Sequence, residues 1–209
     1  MMLYLFRHGK SHANVARLVT GTPADSLTDE GMMQAAAMHR WLMQAGVHAQ
    51  RFFVSNWLRA QQTAGCLFPD VDWTIDSRLG ETNAGSVAEW SLDAFLGAYP
   101  EFYRNNSTAY PNGESHQALN KRVIEWLSEL LARSRPDEHV VAVTHSGPIA
   151  CIVQHVLGID MKHFPALLAA HASLTAIEFS RDARRHATVK TFSLTPAETA
   201  APMLFPASH

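Results

Sequence analysis

The clearest hydrophobic signal in this chain is an apolar run without alternation. His139-Val140-Val141-Ala142-Val143-Thr144 is rich in valine on consecutive positions, which predicts a strand covered on both faces. Met2-Leu3-Tyr4-Leu5-Phe6 is a second such run, and Phe52-Phe53-Val54-Ser55 and Val71 to Ile75 are shorter strand candidates. Between them the period changes to that of a helix. Thr28 is a good N-cap, Asp29 and Glu30 suit a helix start, and Met33, Ala36, Ala37, Trp41 and Leu42 follow helical spacing until Gly46. Leu58 to Leu67 predicts another helix, ending near Pro69. From Glu114 to Arg133, residues Leu119, Val123, Trp126, Leu127, Leu130 and Leu131 share one face. Pro148 introduces a further helix over Ile149 to Leu157, closed by Gly158. Ser173 to Phe179 and Thr188 to Leu194 alternate with period two and are joined by the polar stretch Arg181-Asp182-Ala183-Arg184-Arg185, which predicts a hairpin.

Strands that alternate with helices predict an α/β fold, a three-layer sandwich with a mostly parallel central sheet and helices on both faces. Three stretches fall outside the pattern. Leu18 to Ser26, with Gly21, Pro23, Asp25 and Ser26, is a loop. Leu79 to Gly113 is irregular and punctuated by Gly85, Gly97, Pro100, Asn105, Asn106 and Pro111, so residues 85–113 are expected to form a lid-like insertion. Ala197 to His209, with Pro202 and Pro206, is expected to be a loose tail.

Composition narrows the class. With 209 residues, 47% of them apolar, residues 1–209 are expected to form a single domain. A formal net charge of −2 gives no electrostatic reason for a nucleic acid or an anionic membrane as partner. The first apolar run is far short of the roughly 18 to 20 residues that span a bilayer, and no secretory signal is visible. Cys66 and Cys151 have no metal-like spacing, which favours a reducing cytosol and a cytoplasmic location. Twelve histidines raise the question of zinc, and His8 with His12 has an i, i+4 spacing. Gly9 argues against a helix there and no closed ligand set follows, so no metal is expected.

Candidate chemistry lies at strand ends. The first run delivers Arg7-His8-Gly9 and the valine run delivers His145-Ser146-Gly147, and ligands of open α/β sheets bind beyond the carboxyl ends of strands. Arg offers a fixed fork of donors for phosphate, imidazole can attack phosphorus, and Gly permits a tight turn. Asn56 to Ala64 would bring Arg59 to the same edge from a helix start. Glu81 would hang over the crevice from the start of the irregular region. Taken singly, Arg59 reads as a surface residue and Glu81 as a solvated carboxylate; their order along the chain raises both.

Arg7-His8-Gly9 with Asn14, Leu27-Thr28 with Gly31 and Gln34-Ala35, Ser55 to Ala64, Glu81, Gly113-Glu114-Ser115 and His145 occur in the order found in the histidine phosphatase superfamily. Over roughly residues 2 to 180 the chain resembles its phosphoglycerate-mutase-like branch. The resemblance implies a phosphatase for small-molecule phosphate monoesters that needs no cofactor. It implies His8 as the nucleophile that is transiently phosphorylated, Glu81 as general acid, and Arg7, Arg59, Asn14 and His145 as phosphate contacts. Ser146 stands where the family commonly has glycine; its hydroxyl could reach phosphate or cap the following helix. Gly85-Ser86-Val87-Ala88-Glu89-Trp90 departs from the family's Gly-x-Trp-Glu-Gly, and Ser11 replaces the usual threonine.

A phosphoglycerate-type phosphomutase is the alternative activity, and a non-catalytic phosphate-binding module the alternative of another class. From Leu79 to Asn120 the only basic side chains are Arg104 and His116, too few for a second phosphate, which favours hydrolysis. Trp90, Phe95, Tyr99, Phe102, Tyr103 and Tyr110 either stack on a leaving group or form the insertion's own core. The resemblance extends to α-ribazole phosphatases, a candidate substrate class. An apolar face on the terminal hairpin could support a homodimer.

Overall fold

The computed structural model describes residues 1–180 and 187–196, so the expected hairpin connector and the expected tail lie outside the described residues. In chain order the main elements are β1 (Met2–Arg7), α1 (His12–Val15), α2 (Asp29–Ala45), β2 (Arg51–Val54), α3 (Leu58–Leu67), β3 (Thr74–Ile75), α4 (Leu92–Ala98), α5 (His116–Arg133), β4 (His139–Thr144), α6 (Ser146–Leu157), β5 (Leu174–Phe179) and β6 (Ala187–Leu194). The sheet runs in the order β3-β2-β4-β1-β5-β6. Strands β3, β2, β4 and β1 are parallel, while β5 runs antiparallel to β1 and β6 antiparallel to β5. No helix among the described residues is long and apolar enough to cross a membrane.

The two continuous apolar runs lie side by side at the centre because each must bury both faces. Leu3 and Leu5 of β1 and Val140 and Ala142 of β4 pack with Leu119, Val123, Trp126 and Leu127 of α5 and with Ile149 and Val153 of α6. The alternate residues Tyr4, Phe6, Val141 and Val143 pack with Met38, Trp41 and Leu42 of α2 and with Ala60 and Ala64 of α3. That is a three-layer sandwich. Val189 and Phe192 of β6 pack against the first of these cores, so the apolar face of the hairpin is used within the chain.

Three expectations need correction. The buried face of α2 is Gly31, Ala35, Met38, Trp41 and Leu42, whereas Met33 is 65% exposed. In Met-Met-Gln-Ala-Ala-Ala several helical phases fit, and the close approach of Gly31 to the Lys10 backbone selects one of them. The strand expected over Val71 to Ile75 shrinks to two exposed residues, Thr74 and Ile75, at the sheet edge. Residues 79–113 are not structureless: Ser91 caps α4 through Ala94 N at 3.2 Å. Ala84, Val87, Ala88, Phe95, Phe102 and Tyr110 form a small core there, against which Val19 packs. Phe95, Phe102 and Tyr110 therefore serve the insertion's packing, while Trp90, Tyr99 and Tyr103 are exposed.

Candidate active site

Parallel pairing of β1 with β4, Arg7 opposite Thr144, brings the two strand-terminal histidines together. The rings of His8 and His145 lie 4.9 Å apart, edge to face. His8 stays in the sheet: its N–H donates to Thr144 O at 3.1 Å and its carbonyl accepts from Ala172 N at 3.0 Å. Gly9 is required for a reason other than the expected turn. A Cβ there would collide with the Gly31 carbonyl, so the exit of β1 lies directly on the start of α2.

Hydrogen bonds fix the His8 tautomer. Nδ1 lies 2.6 Å from the Gly9 carbonyl, which can only accept, so Nδ1 carries the proton. Nε2 accepts from Arg59 Nε at 3.0 Å and is therefore a free base. Burial, then the charges of Arg59 and Arg7, hold His8 well below the ordinary histidine value, so its imidazole is neutral near pH 7.

Arg59, on the first turn of α3, is 2% exposed. Its Nη1 donates to Asp25 Oδ2 at 3.2 Å, Nη2 donates to Thr20 O at 3.2 Å, and the guanidinium lies 4.4 Å from the centre of the Trp57 ring. Burial lowers its basicity, against the pull of Glu81 and Asp25. Arg7 donates from Nη1 to Ala169 O at 2.5 Å and from Nη2 to His171 Nε2 at 2.8 Å. Burial brings Arg7 down to about 10, with Glu81 opposing.

His145 is fully buried with Nε2 2.8 Å from Ser55 Oγ. Ser55 Oγ also accepts from Trp57 N and has its own proton to give to Nε2, an arrangement that leaves the imidazole proton of His145 on Nδ1. Burial and the Arg59 charge hold His145 well below its ordinary value too. His145 Nδ1, Arg7 Nε and Ser146 Oγ are buried without a hydrogen-bond partner. Ser146 thus does not cap its helix, and the three unpaired polar atoms belong to residues at the carboxyl ends of β1 and β4 and the start of α6, where an anion would supply the missing partners.

Glu81 leaves the short turn Ser77–Leu79 and places Oε2 3.2 Å from the Gly147 N–H at the start of α6, while Oε1 accepts from Thr82 N at 2.9 Å. A Cβ at residue 147 would strike Glu81 Oε1, so this second glycine makes room for the carboxylate. Asn14 accepts at Oδ1 from the Ser11 amide and hydroxyl, both at 3.1 Å, and so also serves as a cap partner of α1. Ser11 keeps the capping role that a threonine would have.

Of the expected residues, Arg7, His8, Asn14, Arg59, Glu81 and Ser146 line one cleft of about 200 Å³, while His145 does not line it and packs against His8. Tyr103, Tyr110, His116, Phe164 and Leu168 form its mouth. Two residues of the site were not anticipated. Asp25, expected only as a turn former, bonds Ala13 N and Arg59. His171 supports Arg7 and lies 6.0 Å from the His8 ring. An antiparallel β5 must begin at the edge where β1 ends, and that pairing was the signal that would have found His171.

These buried neutral histidines have a measurable consequence. His8 and His145 sit well below 6.5, and burial with Arg7 brings His171 down to about 4. Unfolding then takes up protons below pH 6.5, so this stability is full above that pH and is lost as pH falls toward the folded values. Urea unfolding from pH 7 to 5 should show a loss whose slope approaches ~1.4 kcal/mol per pH unit for each fully buried group. A flat profile would contradict the neutral buried pair.

Residues 3–191 match the family described as the histidine phosphatase superfamily (branch 1). The adenosylcobalamin/alpha-ribazole phosphatase of Salmonella typhi is 31% identical over 177 residues, 78% of this chain and 85% of that protein. A 2,3-bisphosphoglycerate-dependent phosphoglycerate mutase of Methylobacterium sp. (strain 4-46) is 28% identical over 79% of this chain and 85% of its own length. Among solved structures, the alpha-ribazole phosphatase from Shigella flexneri has a TM-score of 0.83 at 24% identity, covering 95% of this chain and 100% of that one. The last likeness is one of fold.

Proposed function

Because the chain belongs to the histidine phosphatase superfamily, we propose that it is a phosphatase that hydrolyses small-molecule phosphate monoesters through a phosphohistidine on His8. The observation that carries this reading is the His8 imidazole, neutral, protonated on Nδ1 toward Gly9 O, and offering Nε2 beside the Arg59 guanidinium. Arg7 Nε, Arg59, His145 Nδ1 and Ser146 Oγ bind the phosphoryl oxygens, and Asn14 Nδ2 reaches them from the rim. As the His8 Nε2–P bond forms and the ester P–O bond breaks, the electron pair goes to the ester oxygen, which takes the proton of Glu81. Water then attacks phosphorus, its proton goes to the Glu81 carboxylate, and the P–N bond electrons return to Nε2. The products are an alcohol and inorganic phosphate, with His8 and Glu81 restored.

The positive charge that phosphoryl transfer demands comes from Arg7 and Arg59, so turnover needs no added metal. Among the described residues the mouth has no second cationic cluster: His116 is held below its ordinary value by burial, and Arg104 is exposed and paired with Glu101 at 2.8 Å. That supports hydrolysis over mutase chemistry on a bisphosphate. His116 lies over Tyr103 at 5.8 Å and next to Phe164 at 5.1 Å, an apolar and aromatic rim for a leaving group with a ring. The segment 85–113 carries Tyr103 and Tyr110 and acts as the lid. The reading draws on one chain and needs no homodimer. Two free cysteines fit a cytosolic setting.

Acid-labile label on the protein after rapid quenching with a ³²P-monoester, together with metal-free phosphate release, is the expected result. Sugar phosphates, nucleotides, glycerates and α-ribazole phosphate ranked by kcat/KM should place ring-bearing leaving groups first. A saturated enzyme that carries no acid-labile phosphate would overturn the mechanism, and substantial phosphoglycerate mutase activity would overturn the preference for hydrolysis.

A further inference from the structure

The carboxylate of Glu81 has to stand at one point in the cleft, yet it grows from a short irregular segment. Its own carboxylate bonds are few: the amide and hydroxyl of the adjacent Thr82 and the distant Gly147 N. The backbone that carries it is held from outside. Four consecutive carbonyls, residues 78 to 81, each accept from a side chain. Thr144 Oγ1 donates to Leu79 O at 2.6 Å, from the end of β4. Arg122, on α5, takes the other three: Nη1 donates to Arg78 O at 2.7 Å and to Gly80 O at 2.9 Å, and Nη2 donates to Glu81 O at 2.9 Å.

Arg122 is itself fixed by Glu114. Nη2 lies 2.6 Å from Oε1 and Nε lies 3.1 Å from Oε2, a two-pronged pair whose side chains are only 22% and 18% exposed. Glu114 Oε1 also accepts from Asn83 N at 2.8 Å, and Glu114 N donates to Asn83 O at 2.8 Å. The guanidinium therefore spends Nε and both Nη groups on one task, and residues 78 to 83 are caged on both sides of Glu81. A planar fork with five donors can do this; a lysine ammonium cannot reach the same set.

We propose that Arg122, locked by Glu114, is a positioning residue for proton transfer: it sets the backbone from which Glu81 reaches the ester oxygen. The inference rests on the reading of Glu81 as general acid. It predicts a signature that depends on the leaving group. An alkyl phosphate needs a proton as the P–O bond breaks, whereas 2,4-dinitrophenyl phosphate expels a stable anion and does not. Phosphorylation of His8 by the two esters, followed by rapid quench, separates positioning from general damage.

In Arg122→Ala, phosphorylation by the alkyl phosphate should fall about 10²-fold, toward the rate of Glu81→Gln, while phosphorylation by the dinitrophenyl ester should change less than about threefold. Glu114→Gln should show the same asymmetry to a smaller degree, and it decides the matter if Arg122→Ala does not fold. A polar cavity of about 330 Å³ borders Arg122, Glu114 and Glu81, so millimolar guanidinium chloride should partly restore the alkyl rate in Arg122→Ala. Equal losses with both esters, or rescue by neither guanidinium nor any change in leaving group, would overturn the positioning role. Failure of the wild-type chain to form an acid-labile phosphoenzyme would instead overturn the mechanism beneath it.

Discussion

His8→Ala should fold normally and lose turnover by about 10⁴-fold or more, with no acid-labile phosphate on the quenched protein. The fold survives because the contribution of residue 8 to the sheet is made by its backbone, N–H to Thr144 O and carbonyl from Ala172 N, which alanine retains. Chemistry fails because the variant loses Nε2, the base that accepts from Arg59 Nε. Inorganic phosphate should still bind within a few-fold of wild type, since Arg7, Arg59, His145 and Ser146 are untouched. Calorimetry with phosphate and quench labelling check the two halves. Turnover that persists in the variant, or label that remains, would remove His8 from its role.

Arg59→Ala should have the largest combined effect on activity and stability. The guanidinium hydrogen-bonds His8 Nε2 and neutralises Asp25, and in the proposed mechanism it also binds the phosphoryl oxygens. Losing one preorganised donor to a developing oxyanion costs about 10² to 10³ in rate. Asp25, whose side chain is 10% exposed, would then lose its cation inside the protein, at a cost of about 3 to 5 kcal/mol. His8 and His145 would both move up toward the ordinary histidine value, because Arg59 is the largest charge that lowers each. The acid limb of kcat/KM therefore shifts to higher pH. Arg59→Ala combined with Asp25→Asn should recover much of the stability and little of the activity, as read by urea unfolding and steady-state kinetics. A single variant with near-wild-type kinetics would exclude Arg59 from the clamp.

The central strands and the residues gathered at their carboxyl ends were legible because their signals are local. A valine run cannot be satisfied anywhere but between two layers, and Thr28 and Gly46 mark helix ends by their own chemistry. Arg7, His8, Arg59, Glu81 and His145 were legible from family order together with strand ends. What was missed depends on pairing over long separations. His171 sits 164 residues from Arg7 and is recruited because β5 runs antiparallel to β1. Asp25 looked like turn chemistry because its partner lies 34 residues on. Met33 was misassigned because adjacent helical phases are nearly equivalent in a Met/Ala-rich segment, until the glycine contact breaks the tie. Gly9 looked like a turn residue for a similar reason: the sequence does not say what its missing side chain would have struck.

The central position of β1 also governs when the protein first becomes competent. During synthesis the proposed nucleophile emerges well before β4 and β5, which flank its strand and begin at residues 139 and 174. The first strand has to wait, apolar and unpaired, through some 130 residues of translation. A topology with such distant partners folds late and slowly and exposes an aggregation-prone segment meanwhile. A nascent chain stalled before β4 would hold His8 and Arg59 yet lack any pocket, so catalysis and completion of the fold arrive together.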